Sequence, residues 1–189
     1  MSYRLVNKAE RILLTGSNMW YFGEGMLGPL FAIFTERVGG DILDIAWAWA
    51  TYLIVTGVLM VVFGKMGDRL KNTAVIMVAG YALNALFTFG YLLVDSPLDL
   101  LIVQVGLGIA SAMATPTWDA LYTKHEAHKE SSFLWGISEG TALITTGIGM
   151  IIGGFIIKFS TFTTLFWIMG SIQILATLYQ LQSLRKKYN

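Results

Sequence analysis

The chain has 189 residues, 55% of them hydrophobic and only 13% charged, with 20 Gly, 3 Pro and no Cys. That balance, with a mean hydropathy of +0.62, excludes an ordinary soluble domain and points to a protein embedded in a bilayer. A net charge of +1 leaves no electrostatic footprint for nucleic acid, and the lack of cysteine removes disulfides, thiolate metal sites and cysteine nucleophiles.

A helix rising ~1.5 Å per residue needs roughly 20 residues to cross a hydrocarbon core ~30 Å thick. Six apolar stretches meet that need: Arg11–Phe34, Ile45–Phe63, Thr73–Val94, Leu98–Trp118, Phe133–Ile157 and Thr161–Leu181. They are long and continuously apolar rather than alternating, so the expected class is all-α, one bundle of six transmembrane helices over residues 1–189. The first stretch, behind Arg4, Lys8 and Arg11, is too long for a signal peptide and lacks a small-residue cleavage site, and it reads as a retained span.

Within the first span, Glu24 lies 13 residues beyond Arg11, about 20 Å along a helix and so near the bilayer midplane. A carboxyl at that depth faces protein or water, or carries a proton, which makes Glu24 the leading candidate for a proton or substrate site. A purely structural role, hydrogen-bonded to a neighbouring helix, is the alternative. Tyr21, Gly25 and Gly28 share its helix face, and Asn18 is a further polar position in the same span. The pair Gly28-Pro29 interrupts the helical pattern.

The second and third spans are joined by Gly64-Lys65-Met66-Gly67-Asp68-Arg69-Leu70-Lys71-Asn72, expected as a tight loop at the membrane surface. Asn84 and Gln104 are polar positions inside the third and fourth spans. Met113 and Pro116 in the fourth span repeat the spacing of Met26 and Pro29 at an offset of 87 residues, an internal repeat of spans one to three against four to six. With an odd number of spans, the two units are inverted relative to each other.

The fifth span carries a second carboxyl, Glu139, closer to the surface, followed by Gly147, Gly149, Gly153 and Gly154, whose spacing allows close helix crossing. Two other patterns fall away. Gly136-Ile137-Ser138-Glu139-Gly140 fits a nucleophile elbow but lies at the start of a membrane helix with no histidine partner, so no enzyme is expected. His125 and His128 have no further ligand near them, so no metal or cofactor is expected.

Eleven of the 13 Lys and Arg fall on one side: Arg4, Lys8, Arg11, Lys65, Arg69, Lys71, Lys124, Lys129, Arg185, Lys186 and Lys187. Both termini are therefore expected on the cytoplasmic side of the cell membrane. Glu36, Asp41, Asp44, Asp95 and Asp99 mark the opposite face, and Trp47, Trp49, Trp118 and Trp135 fall where aromatic belts form.

Gly64-Lys65-Met66-Gly67-Asp68-Arg69 resembles the G-x-x-x-D-[RK] motif between the second and third helices of major facilitator superfamily transporters. Lys71 and Asn72 stand where that motif continues with Gly and further basic residues. Gly149-Met150-Ile151-Ile152-Gly153-Gly154 is similar to the G-P-x-x-G-G motif of the family's antiporters, with Met150 in place of Pro. The family's fourth-helix Arg falls at Ile102, ahead of Gly106.

The resemblance implies a half-size form, six helices where the family has twelve. It also implies a secondary active transporter working by alternating access, with a second copy of the chain supplying the other bundle in a parallel homodimer. Proton-coupled efflux or antiport of a small molecule is the activity it points to, with Glu24, Tyr21, Asn18, Glu139 and Gln104 as the proton or substrate site. Gly64, Gly67, Asp68 and Arg69 would form a gate, Asp68 facing the partner's helix that begins near Ser132-Phe133 and Arg69 pairing with Asp119. Gly149, Gly153 and Gly154 would be the helix-packing motif. The alternatives are half of a heteromer or a fragment needing a different partner, and a non-transporting scaffold.

Overall fold

The computed structural model describes residues 7–125 and 131–184, and every regular element in them is helical. Arg4, His128, Lys129, Arg185, Lys186 and Lys187 lie outside the described residues, as does the side chain of His125. In chain order the helices are α1 (Lys8–Gly25), α2 (Leu30–Arg37), α3 (Ile42–Arg69), α4 (Ala74–Gly90), α5 (Pro97–His125), α6 (Ser131–Phe159) and α7 (Phe162–Gln180). Five of them, α3 to α7, are long and apolar enough to cross a membrane, which makes this a multi-pass membrane protein.

The expected first span is two helices. Pro29 has no N–H to offer the carbonyl of Gly25, and the chain turns through Met26–Pro29 before α2 resumes. The matching Pro116 sits inside α5 without ending it. There the Thr117 hydroxyl donates to the carbonyls of Met113 and Ala114 at 2.6 and 3.0 Å, tying the proline turn together.

Most helices outrun the apolar stretches that mark them. α3 starts at Ile42, where Asp41 caps it and Asp44 reaches back to complete a capping box. It then continues through Gly64–Arg69, so the polar island is mostly helix and the turn is confined to 70–73. Lys65 and Arg69 fall in the closing turns, where cations suit the negative end of a helix. Gly67 is buried there, and the Thr73 hydroxyl donates to its carbonyl at 3.2 Å.

α1 packs on α6 and α7, α5 packs on α3 and α4, and α4 meets α7. This pattern is unchanged when α1, α3 and α4 are exchanged with α5, α6 and α7, as an internal repeat requires. Two aromatic-rich cores form at opposite ends of the bundle. One holds Leu13, Trp20, Tyr81, Trp118 and Tyr122; the other holds Phe31, Phe34, Tyr91, Phe166 and Met169. Asn84, Thr88, Gln104 and Gln173 are buried polar side chains near the middle. α3 and α6 lie outermost, with only 11% of their apolar windows buried against 56% for α5.

Candidate functional site

Glu24 is the next-to-last residue of α1 and is partly exposed, one turn from the break at Met26–Pro29. The carbonyls freed by that break gather the partial negative charge of the helix end around it, a setting that suits a proton or a cation as partner. Trp20, one turn back, offers its indole N–H to the carboxyl.

Glu24 lines a cavity of about 170 Å³. Gln104 of α5 reaches the same cavity although it is 4% exposed, and among the described residues its carboxamide makes no hydrogen bond. A buried amide without a partner costs on the order of 1–3 kcal/mol unless water or a ligand meets it. The walls are aromatic: Phe31, Trp49, Tyr52 and Tyr91. Trp49 is held edge-on to Phe31 at 5.6 Å and to Tyr52 at 6.1 Å, so α2 and α3 set this side of the cavity together.

A second cavity, of about 220 Å³, opens between α1, α5 and α6 and contains Tyr21, Asp119 and Glu139. The Tyr21 hydroxyl lies within electrostatic range of Glu24, Glu139 and Asp119, and its ring lines the second cavity only. Asn18 lines neither of them, and its Oδ1 is buried without a partner among the described residues. The sequence-selected residues thus divide into Glu24 with Gln104 and Tyr21 with Glu139.

Among the gate residues, Gly67 packs into the bundle, while Asp68 and Arg69 stand exposed at the end of α3. Asp119 lines the second cavity. Of the packing glycines, Gly149 and Gly153 press on the α1 backbone at Phe22 and Met26, whereas Gly154 faces open space.

Sequence reasoning missed two glutamines on α7. Gln173 and Gln180 are fully buried, and each donates from Nε2 to an α1 carbonyl: Trp20 at 3.0 Å and Leu13 at 3.2 Å. Their seven-residue spacing matches that of Gly23 and Gly16, over which they lie. That shared spacing was the available signal.

Known proteins resemble this chain along most of its length. Multidrug resistance protein MdtG of Dickeya zeae is 22% identical over 87% of this chain and 41% of its own length. An uncharacterized MFS-type transporter of Methanocaldococcus jannaschii, MJ1560, is 25% identical over 82% of the chain and 40% of its own. YvkA, an uncharacterized MFS-type transporter of Bacillus subtilis, is 24% identical over 82% and 35%. The chain therefore spans about two-fifths of the length of such relatives. The family model of the Major Facilitator Superfamily matches residues 13–186, nearly everything from the middle of α1 to the end of the bundle, and the chain belongs to that superfamily.

Proposed function

We propose that the chain is one bundle of a secondary active transporter that works by alternating access as a parallel homodimer and exchanges protons for a small organic molecule. The observation that carries this reading is the cavity at the α1 break, where the Glu24 carboxyl and the unpartnered Gln104 carboxamide share one aromatic-walled space. A carboxyl that alternates between a proton and a substrate contact is the chemistry exchange requires. The names of the relatives, multidrug resistance proteins among them, support efflux as the direction.

The relatives are more than twice as long as this chain, which supports a second bundle packed on the long apolar faces of α3 and α6. Two bundles related by an axis along the membrane normal would rock about those faces. In that dimer Asp68 faces the N-terminus of the partner's α6, a latch worth roughly 0.3–1 kcal/mol, enough to bias rocking without locking it. Lys65, Arg69, Lys71 and Lys124 favour the cytoplasmic side for that end. The same two-fifths coverage favours a second reading, in which a different chain supplies the other bundle.

The test is uptake into proteoliposomes with and without a pH gradient. The wild-type chain should respond to the gradient, and Glu24→Gln should lose that response, about tenfold or more in driven rate. Gradient-driven uptake unchanged in Glu24→Gln would overturn the role of Glu24.

A further inference from the structure

We infer that Asn84, together with Gln173 and Gln180, holds a chain of internal water that joins the two cavities along the α4–α7 side of the bundle. All three side chains are 0% exposed. Among the described residues, neither polar atom of the Asn84 side chain has a hydrogen-bond partner, and the Oε1 atoms of Gln173 and Gln180 have none either. Buried carboxamides are ordinarily satisfied by protein or by ordered water. One donor group and three acceptors left open in one stretch suit water, which both gives and takes hydrogen bonds.

The packing of α4 on α7 brings these atoms to one level. Gln180 donates from Nε2 to the Tyr81 hydroxyl at 3.3 Å, and Phe89 lies over Gly170. The two helices therefore run antiparallel, and Asn84 falls opposite Ala176, between the two glutamines. Each glutamine is already held at its other atom, where Nε2 donates to the α1 carbonyl of Trp20 or Leu13 at 3.0 and 3.2 Å. Turning either amide towards a new partner would break that bond. The core packed around this level holds Met77, Ala110 and Ala176, whose side chains offer no partner.

The place of Asn84 on α4 gives this water its two ends. Tyr81, three residues earlier, lines the second cavity, and Thr88, four residues later, lines the first. From Tyr81 to Thr88 the helix rises roughly 10 Å, about three or four hydrogen-bonded steps. At α1 the cavities are parted by Trp20, which lines the second and offers its indole N–H to the Glu24 carboxyl in the first. The route past Asn84 runs along α4 instead. It links Glu24 with Asp119 and Glu139, the acids of the second cavity. A proton that leaves Glu24 for the first water is matched by one that the last water delivers to Asp119 or Glu139. Asn84 is thus a positioning residue: water moves the proton and the carboxamide holds the water. That use rests on the Glu24 reading, whereas the presence of the water does not.

The experiment is water-edited solid-state NMR of the full chain in lipid bilayers, with heavy nitrogen in its Asn and Gln side chains, which reads polarisation passing from water to each amide. In the wild type the Asn84 amide should receive it as readily as that of Gln104 in the first cavity. In Asn84→Leu the Gln173 and Gln180 amides should lose the transfer while Gln104 keeps it. The leucine removes no protein hydrogen bond of the Asn84 side chain, so the variant should fold, which thermal unfolding checks. If it does not fold, the wild-type Asn84 signal decides alone. A dry Asn84 amide in the wild type, or glutamine amides as wet in Asn84→Leu as in the wild type, would overturn the inference. In proteoliposomes the response to a pH gradient should fall about tenfold in Asn84→Leu, and an undiminished response would overturn the proton route. A wild type with a wet Asn84 and no response to the gradient would sink the Glu24 reading and uphold the water.

Discussion

Gly153 and Gly154 are neighbours in the chain with opposite surroundings. A Cβ on Gly153 would run into the backbone carbonyl of Met26, and one on Gly149 into that of Phe22, so α6 crosses α1 on those two glycines. A Cβ on Gly154, 100° further round the helix, meets nothing within 4 Å. Gly153→Ala should therefore push α6 off α1 and destabilise the fold by about 1–3 kcal/mol, the usual cost of overpacking. Gly154→Ala should cost nothing measurable. Thermal unfolding of the two variants in one detergent checks the contrast, and equal midpoints would refute it. At this scale much of the site was legible: Glu24 stood out as a charge in an apolar run, and the four-residue glycine spacing marked a crossing. The resemblance grouped Glu24 with Gln104, Tyr21, Asn18 and Glu139; that Gln104 alone of these shares the Glu24 cavity was not legible, because 80 residues separate the two and only the packing of α1 and α5 brings them together.

α1 is held along its length by side chains that tap its backbone. Gln180 and Trp118 both donate to the Leu13 carbonyl, and Gln173 donates to the Trp20 carbonyl, which lies one turn before Glu24. Each glutamine can reach because a glycine, Gly16 or Gly23, leaves room for it. A methyl group on Gly23 would come within 2.7 Å of the Gln173 amide, so Gly23→Ala should destabilise, and Gln173→Ala in the same chain should recover part of the loss. A double-mutant cycle read by thermal unfolding should give a coupling of about 0.5–1 kcal/mol, and additive effects would refute the clasp. Element boundaries were the least legible level. Apolarity marks how deep a residue sits in lipid, while a helix continues until a cap or a proline stops it. α3 therefore runs on through the polar Gly64–Arg69, and the largely apolar first span breaks at Pro29.

For the whole molecule, the question raised by the sequence is what covers α3 and α6. Ile54, Val58 and Val61 on α3, and Leu143, Ile144 and Ile151 on α6, are all at least 63% exposed. Lipid satisfies such a surface as readily as protein does, so exposure alone does not choose between them. The proposed parallel dimer through these faces would put Asp68, exposed at the end of α3, beside Ser132, exposed at the start of the partner's α6, and that juxtaposition is what distinguishes it from lipid. The chain has no cysteine of its own, so Asp68→Cys with Ser132→Cys introduces the only thiols. Oxidation in native membranes should give a dimer band that reductant removes, whereas cysteines at Trp167 and Leu178, exposed on α7, should not crosslink. A chain that stays monomeric under oxidation, or one that crosslinks through α7 as readily as through Asp68 and Ser132, would refute the parallel homodimer. Crosslinking only after a second, different bundle is supplied would assign the uncovered faces to a heteromer instead.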